Sequence, residues 1–288
     1  MKRDVIKSKG IHPKEKTMYK QNLHIHSTYD DGKDTPEQML EAARAQGFDS
    51  IGFSLHSYMH FAPERSATVE GTEKYKEHIF RLKREAADEM PVFCGIELEV
   101  LSQGIDLTPY DYVIASSHYF KIGDEFVGFD RSAEEVGRVI DTYFGGDGMA
   151  YAKRFYEGVA QIPSYGKFDI LGHVDIVTKH IEKTNYFDAD SKEYRRMAIE
   201  AVEALAGKIP FFEVNTGAIA RGYRTTPYPA PFLIKEMRRL GFGAMISSDC
   251  HDRRFLDCGY EDAAALLREC GFREIYVLTE KGFAPSAL

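Results

Sequence analysis

Eight short apolar runs punctuate this chain from end to end, and helical patterns fill the spaces between them. The runs cover residues 21–25, 50–55, 91–96, 111–116, 168–171, 210–214, 243–247 and 274–278. They are rich in Val, Ile and Phe, and apolar on successive rather than alternate residues. That suits strands covered on both faces, as in a parallel sheet. Residues 36–46 show the helical counterpart: Thr35 can cap, Pro36 suits the first position, Gln38 completes a capping box and Gly47 follows. Residues 193–206 and 231–240 read as helices closed by Gly207 and Gly241. Repeated strand–helix units predict an α/β fold, and the 288 residues suit one domain, since an α/β barrel takes roughly 250.

One stretch breaks the rhythm. Residues 118–167 contain no clear buried strand and read as an insertion over the mouth of the barrel. Within it, residues 121–129 suit a hairpin turning at Gly123-Asp124, and helices follow near 132–144 and 147–162.

The net charge of −8 argues against a broad nucleic-acid surface. Cys94, Cys250, Cys258 and Cys270 have neither disulfide-framework nor zinc-finger spacing, so free thiols are expected. Cys250 should point to the face of its strand away from its two neighbours. With no apolar segment suited to export or membrane insertion, the chain reads as cytoplasmic, with no membrane partner.

The residues at the C-terminal ends of the runs carry the chemistry. The first strand offers His24 and His26, whose spacing gives both rings one side-chain direction. The second offers His56, the third Glu97, the fourth His118 and the fifth His173. The sixth offers Glu213, Asn215 and Thr216, and the seventh Asp249 and His251. A lone His at a strand end is usually a hydrogen-bonded structural residue. Here six of ten His fall at strand ends of one polarity, and in a barrel those ends share one rim. His12, His60, His78 and His180 fall elsewhere and take no metal role. Imidazole and carboxylate together suit zinc, manganese or iron, and a carboxylate can bridge two ions. Asp31, in the Tyr29-Asp30-Asp31-Gly32 turn, can swing back to the same place, as can Asp30.

His24-Ile25-His26-Ser27, Asp31-Gly32, Leu55-His56, Gly95-Ile96-Glu97, Ser116-Ser117-His118, Gly172-His173 and Ser248-Asp249-Cys250-His251 stand in the order of the motifs of the PHP (polymerase and histidinol phosphatase) superfamily. The chain resembles its histidinol-phosphate phosphatases over about residues 21–280. The resemblance implies a distorted (β/α)7 barrel with three divalent metal ions at its rim. His24, His26, Glu97 and Asp249 would hold the first. Glu97 would bridge to the second, with His118 and His173, and Asp31, His56 and His251 would hold the third. The implied reaction hydrolyses histidinol phosphate, a small phosphate ester, and releases inorganic phosphate. Leu55 stands where relatives often carry Asp, which removes one support for His56. The eighth run either packs outside the ring or completes it.

A phosphate needs a cation on its outer side, and the planar fork of Arg meets it bidentately. Arg221 or Arg224, after the sixth strand, is the candidate clamp, with Lys179 a further candidate. Asp30 is a candidate proton donor to the leaving alcohol. Asp124, Glu125 or Phe129 in the insertion can receive the substrate's amine and imidazole. Two other readings share parts of the pattern. One is a PHP phosphoesterase acting on nucleotides or short oligonucleotides. The other is a metal-binding module without turnover. A metal amidohydrolase would need a bridging Lys on the fourth strand, which ends instead in His118.

Overall fold

The computed structural model describes residues 18–288. The first four strands are β1 (Gln21–Asn22), β2 (Ser50–His56), β3 (Val92–Glu99) and β4 (Tyr112–Ser116). Next comes a hairpin, β5 (Tyr119–Ile122) and β6 (Glu125–Gly128), then β7 (Ile170–Leu171), β8 (Phe211–Asn215) and β9 (Gly243–Ser247). All but the hairpin form one parallel sheet in the order β1-β2-β3-β4-β7-β8-β9. A parallel bridge between Ile25 and Cys250 joins its two edges, with His26 N donating to Cys250 O at 2.9 Å. The result is a nearly closed seven-stranded barrel.

The helices are α1 (Pro36–Ala45), α2 (Val69–Glu85), α3 (Ala133–Phe144), α4 (Gly148–Gln161), α5 (Lys192–Leu205), α6 (Gly217–Ala220), α7 (Pro231–Arg239) and α8 (Tyr260–Glu269). Local sequence sets their ends. Thr35 and Gln38 form the reciprocal capping box of α1. Ser132 caps α3, and Gly145 ends it in the left-handed conformation (φ 62°). The 118–167 stretch contains the expected hairpin, turning at Gly123-Asp124, and then α3 and α4. Among the described residues, no helix is long and apolar enough to cross a membrane.

Two strands are shorter than their apolar runs, and beside each a side chain takes one rung next to the backbone bonds Ser54 N to Ile25 O and Asp169 N to Val113 O. Ile25 N donates to Ser54 Oγ at 3.1 Å, just beyond β1. Just before β7, the Asp169 carboxylate accepts from Val113 N at 2.9 Å. The eighth run lies outside the ring. It is β10 (Glu274–Thr279), antiparallel to β11 (Gly282–Ala287). The Gln21 amide pins it by donating to Leu278 O and accepting from Leu278 N. Leu278 packs with Leu23, Phe93, Tyr112, Ile170 and Met245, so this hairpin plugs the N-terminal mouth of the barrel.

The interior above the plug explains the glycine two residues before Glu97. The Tyr112 ring lies across the barrel, its hydroxyl 2.6 Å from Leu23 O and 2.9 Å from Phe53 O. A Cβ on Gly95 would meet that ring at 2.2 Å. Gly95→Ala should therefore overpack the barrel and destabilise it by about 1–3 kcal/mol. Chemical denaturation checks this, and an unchanged midpoint would refute it.

Candidate metal centre

At the opposite, C-terminal rim, nine side chains point into one space. Glu97, 1% exposed at the end of β3, is its centre. Its Oε1 lies 3.4 Å from His24 Nε2, 3.7 Å from His118 Nε2 and 3.0 Å from His173 Nε2. Its Oε2 lies 3.5 Å from His26 Nε2 and 2.8 Å from His56 Nδ1, and makes no hydrogen bond. Asp249 Oδ1 is 3.7 Å from His24 Nε2 and 3.5 Å from His26 Nε2. Asp31 Oδ1 is 3.5 Å from His56 Nε2 and 3.1 Å from His251 Nε2.

These donors fall into overlapping groups whose atoms lie within 4.8 Å of one another. One is His24, His26 and Glu97, a second His24, His173 and Asp249, a third Glu97, His118 and His173, and a fourth His26, Asp31, His56 and His251. His24 Nε2, His26 Nε2 and Glu97 Oε2 are buried without a hydrogen-bond partner. Buried polar atoms are normally satisfied. Three orphans facing one space, all of ligand type, fit bound cations.

Backbone and neighbouring carboxylates aim the rings. Asp249, just past β9, sits at φ 46°, a left-handed conformation uncommon outside Gly and often found at functional sites. Its Oδ2 accepts from Arg221 Nη2 at 2.8 Å. Asp30 is enclosed: its Oδ2 lies 2.8 Å from His26 Nδ1 and accepts from His56 N, and its Oδ1 accepts from Ser27 N. It therefore orients His26 and steadies His56, which stacks on His26 at 4.2 Å between centroids. That is where support for His56 comes from, since Leu55 is buried in the core.

Two carboxylates position these rings: Glu213, named from sequence only as a strand-end residue, and Glu99, not singled out from sequence. Glu213, on β8, lies 2.9 Å from His24 Nδ1 and accepts from His173 N, Asn215 Nδ2 and Ser247 Oγ. Glu99 accepts from His118 N at 2.7 Å and lies 3.3 Å from His118 Nδ1. The usable signal was strand alternation: Glu99 follows Glu97 by two on β3, so both face the interior. Glu213→Gln should weaken metal affinity about 10- to 100-fold while the fold is kept, because a ligating imidazole needs its other nitrogen fixed. Competition with a chelator measures this, and unchanged affinity would exclude the orienting role.

The electrostatics are those of a cation site. Burial pushes His24 and His56 toward neutrality. Glu213 and Glu97 around His24, and Glu97 and Asp31 around His56, outweigh it and hold both rings well above the usual imidazole range. His26, buried and beside His56, is still raised to about 8 by Asp30 and Asp249. His118 is raised against its burial by Glu99 and Glu97. His251 is lowered by burial and by His26. Despite their burial, Glu97 is held well below the carboxylate range by His24 and His56, and Asp249 by Arg221 and His24.

A cation entering such a site displaces protons from the raised imidazoles. Metal uptake should therefore release protons at neutral pH and weaken as pH falls below about 8, the value for His26. Calorimetry in buffers of different ionisation enthalpy counts those protons, and uptake without proton release would contradict this assignment.

The rim opens into a cavity of about 570 Å³ lined by Asp31, His56, Glu97, His118, Lys179 and Arg221, among others. Lys179 is held by Asp130 Oδ2 at 2.9 Å. Arg224 does not line it. Its guanidinium turns toward Thr178 and lies 5.0 Å over the Tyr228 ring. Of the three insertion residues expected to receive the substrate, none reaches the cavity. Asp124 is exposed at the hairpin turn, Glu125 accepts from Tyr143 Oη and Phe129 is core. The insertion instead contributes Tyr119, Gly128, Asp130 and Arg131.

His60, His78 and His180 join none of the ligand groups, and His12 lies outside the described residues. Cys250 is buried, its Sγ donating to Asp252 O, and the four cysteines are unpaired.

Comparisons with known proteins agree with the fold described above. The chain is 25% identical to a histidinol-phosphatase of Lactococcus lactis subsp. lactis (strain IL1403) over 268 residues, which is 90% of this chain and 94% of the relative. The solved structure of a histidinol phosphate phosphatase from Lactococcus lactis, in complex with zinc, L-histidinol and phosphate, matches with a TM-score of 0.71 at 24% identity. That match covers 93% of this chain and all of the other. A solved structure from Listeria monocytogenes also gives 0.71, at 19% identity, over 84% and 99% of the two chains. A family model of the PHP domain matches residues 22–217, the stretch that supplies seven of the nine converging side chains, and the chain belongs to the PHP domain family.

Proposed function

We propose that this protein is a metal-dependent phosphomonoesterase that converts L-histidinol phosphate to L-histidinol and inorganic phosphate. One observation carries the reading: nine His, Asp and Glu side chains converge on one rim, and their unpartnered ligand atoms face each other. The Lactococcus relative adds the substrate, because its structure contains zinc, L-histidinol and phosphate.

His24, His26, Glu97 and Asp249 would hold one divalent ion, Glu97 with His118 and His173 a second, and Asp31, His56 and His251 a third. Zinc, manganese and iron all suit these donors. Bound there, such ions supply Lewis acidity, neutralising phosphoryl oxygens and acidifying water. The chain's own residues do the rest. Glu97 keeps the donor groups in one register. Arg221 and Lys179 extend into the cavity from two loops and meet the phosphate oxygens from outside. Asp30 fixes the His26 ring and, with both oxygens engaged, is not the proton donor to the leaving alcohol. Arg224 leaves the clamp to Arg221. The described residues, 18–288, read as one barrel domain with 118–167 inserted, and the unpaired cysteines suit the cytoplasm.

The test is phosphate release by purified protein with zinc or manganese, measured on histidinol phosphate, a panel of other phosphomonoesters and a dinucleotide. We expect a clear preference in kcat/KM for histidinol phosphate. Weak, equal activity on all would refute the substrate, and cleavage of the dinucleotide alone would replace it.

A further inference from the structure

The Arg224 side chain, 9% exposed, enters a seam between two loops. Residues 173–184, after β7, carry His173 and Lys179. Residues 216–230, after β8, carry Arg221. Four ties cross the seam. Arg224 Nη1 donates to Thr178 Oγ1, and the Glu182 carboxylate accepts from Thr225 N at 2.9 Å. Asp175 Oδ2 accepts from Ala230 N at 2.8 Å, and Lys183 Nζ donates to Gly222 O at 2.5 Å. The first tie joins the neighbours of both cavity cations, because Lys179 directly follows Thr178 and Arg221 precedes Arg224 by three residues.

The seam is not an economical way to hold two loops together. Asp175 Oδ1, Arg224 Nε and Tyr228 Oη are all buried there without a hydrogen-bond partner among the described residues. A packed apolar seam would avoid those orphans.

We infer that Arg224 is a positioning residue that fixes the separation of Lys179 and Arg221 through its tie to Thr178. The inference rests on the phosphate reading given above. Arg224 touches no substrate; it sets where the two cations that do so stand. A flexible Lys179–Arg221 pair would have to be ordered by each phosphate that binds, so loosening the seam weakens binding through pre-organisation.

The experiment uses the full-length, zinc-loaded protein and inorganic phosphate as the probe, with binding read by calorimetry and metal content by elemental analysis. Arg224→Met removes the tie from one side and Thr178→Val removes its hydroxyl acceptor from the other, leaving only the 3.5 Å contact to Thr178 O, so the second serves if the first does not fold. Each is expected to weaken phosphate binding about tenfold, with metal content unchanged. Arg224→Lys, which keeps a donor but not the fork, should recover part of the loss. In an Arg221→Ala background, Arg224→Met should add less than about twofold, because no Lys179–Arg221 separation is left to fix. Parental phosphate affinity in both single variants would overturn the inference, as would an equal loss in both backgrounds, which marks general loosening. Wild-type protein that neither binds phosphate nor hydrolyses any phosphomonoester would overturn the phosphate reading, and this inference with it.

Discussion

Glu97→Gln is expected to remove two metal ions together and to lower kcat by about three orders of magnitude. Glu97 is the one side chain whose two oxygens face five imidazoles, those of His24, His118 and His173 on one side and His26 and His56 on the other. Gln keeps the shape, removes the negative charge and turns one acceptor into a donor facing ring nitrogens. Loss of a shared anionic ligand sacrifices several kcal/mol of charge stabilisation, and each 1.36 kcal/mol is about a factor of ten in rate. Elemental analysis and steady-state kinetics read the two effects separately. Full metal content with full activity would remove Glu97 from the centre of the mechanism.

Arg221→Ala is expected to lower kcat/KM on phosphomonoesters by about a hundredfold. Its guanidinium stands at the cavity wall, with Nη2 on Asp249 Oδ2 at 2.8 Å and Nη1 on Asp249 O at 2.9 Å. It braces Asp249 and, on the proposed reading, would also offer a planar cation to the phosphate. Hydrogen bonds to charged groups contribute about 1.5–3 kcal/mol each, and losing roughly 3 kcal/mol is about two orders of magnitude. Arg221→Lys should recover only part of the activity, because an ammonium replaces a fork with a point charge. Activity of Arg221→Ala within twofold of wild type would show that the clamp lies elsewhere, with Lys179 the next residue to test.

The parts of the fold legible in the sequence are those governed by local rules. The α1 capping box, the hairpin turn at Gly123-Asp124 and the buried parallel strands each follow from short-range chemistry. The convergence of His24, Glu97, His173 and Asp249 was legible for a related reason: barrel topology brings all strand ends of one polarity to one rim. What long-range packing decides was not legible. Apolar content alone cannot tell β10, in the plug, from a barrel strand. Nor can it show that Ser54 and Asp169 side chains each take a rung beside β1 and β7. Arg221 and Arg224 sit three apart in one loop, and which enters the cavity depends on Thr178 and Asp249, both distant in sequence. Asp124, Glu125 and Phe129 misled for the same reason, because the hairpin's orientation is set by what it packs on.

Anomalous diffraction from crystals grown with zinc and inorganic phosphate tests the metal-centre reading most directly. Three zinc peaks are expected within the rim, one beside His24, His26 and Asp249, one beside His118 and His173, and one beside Asp31, His56 and His251. Phosphate should lie between them and Arg221. Zinc density absent from the rim, or phosphate bound away from Arg221 and Lys179, would contradict the assignment of this barrel as a metal-dependent phosphomonoesterase.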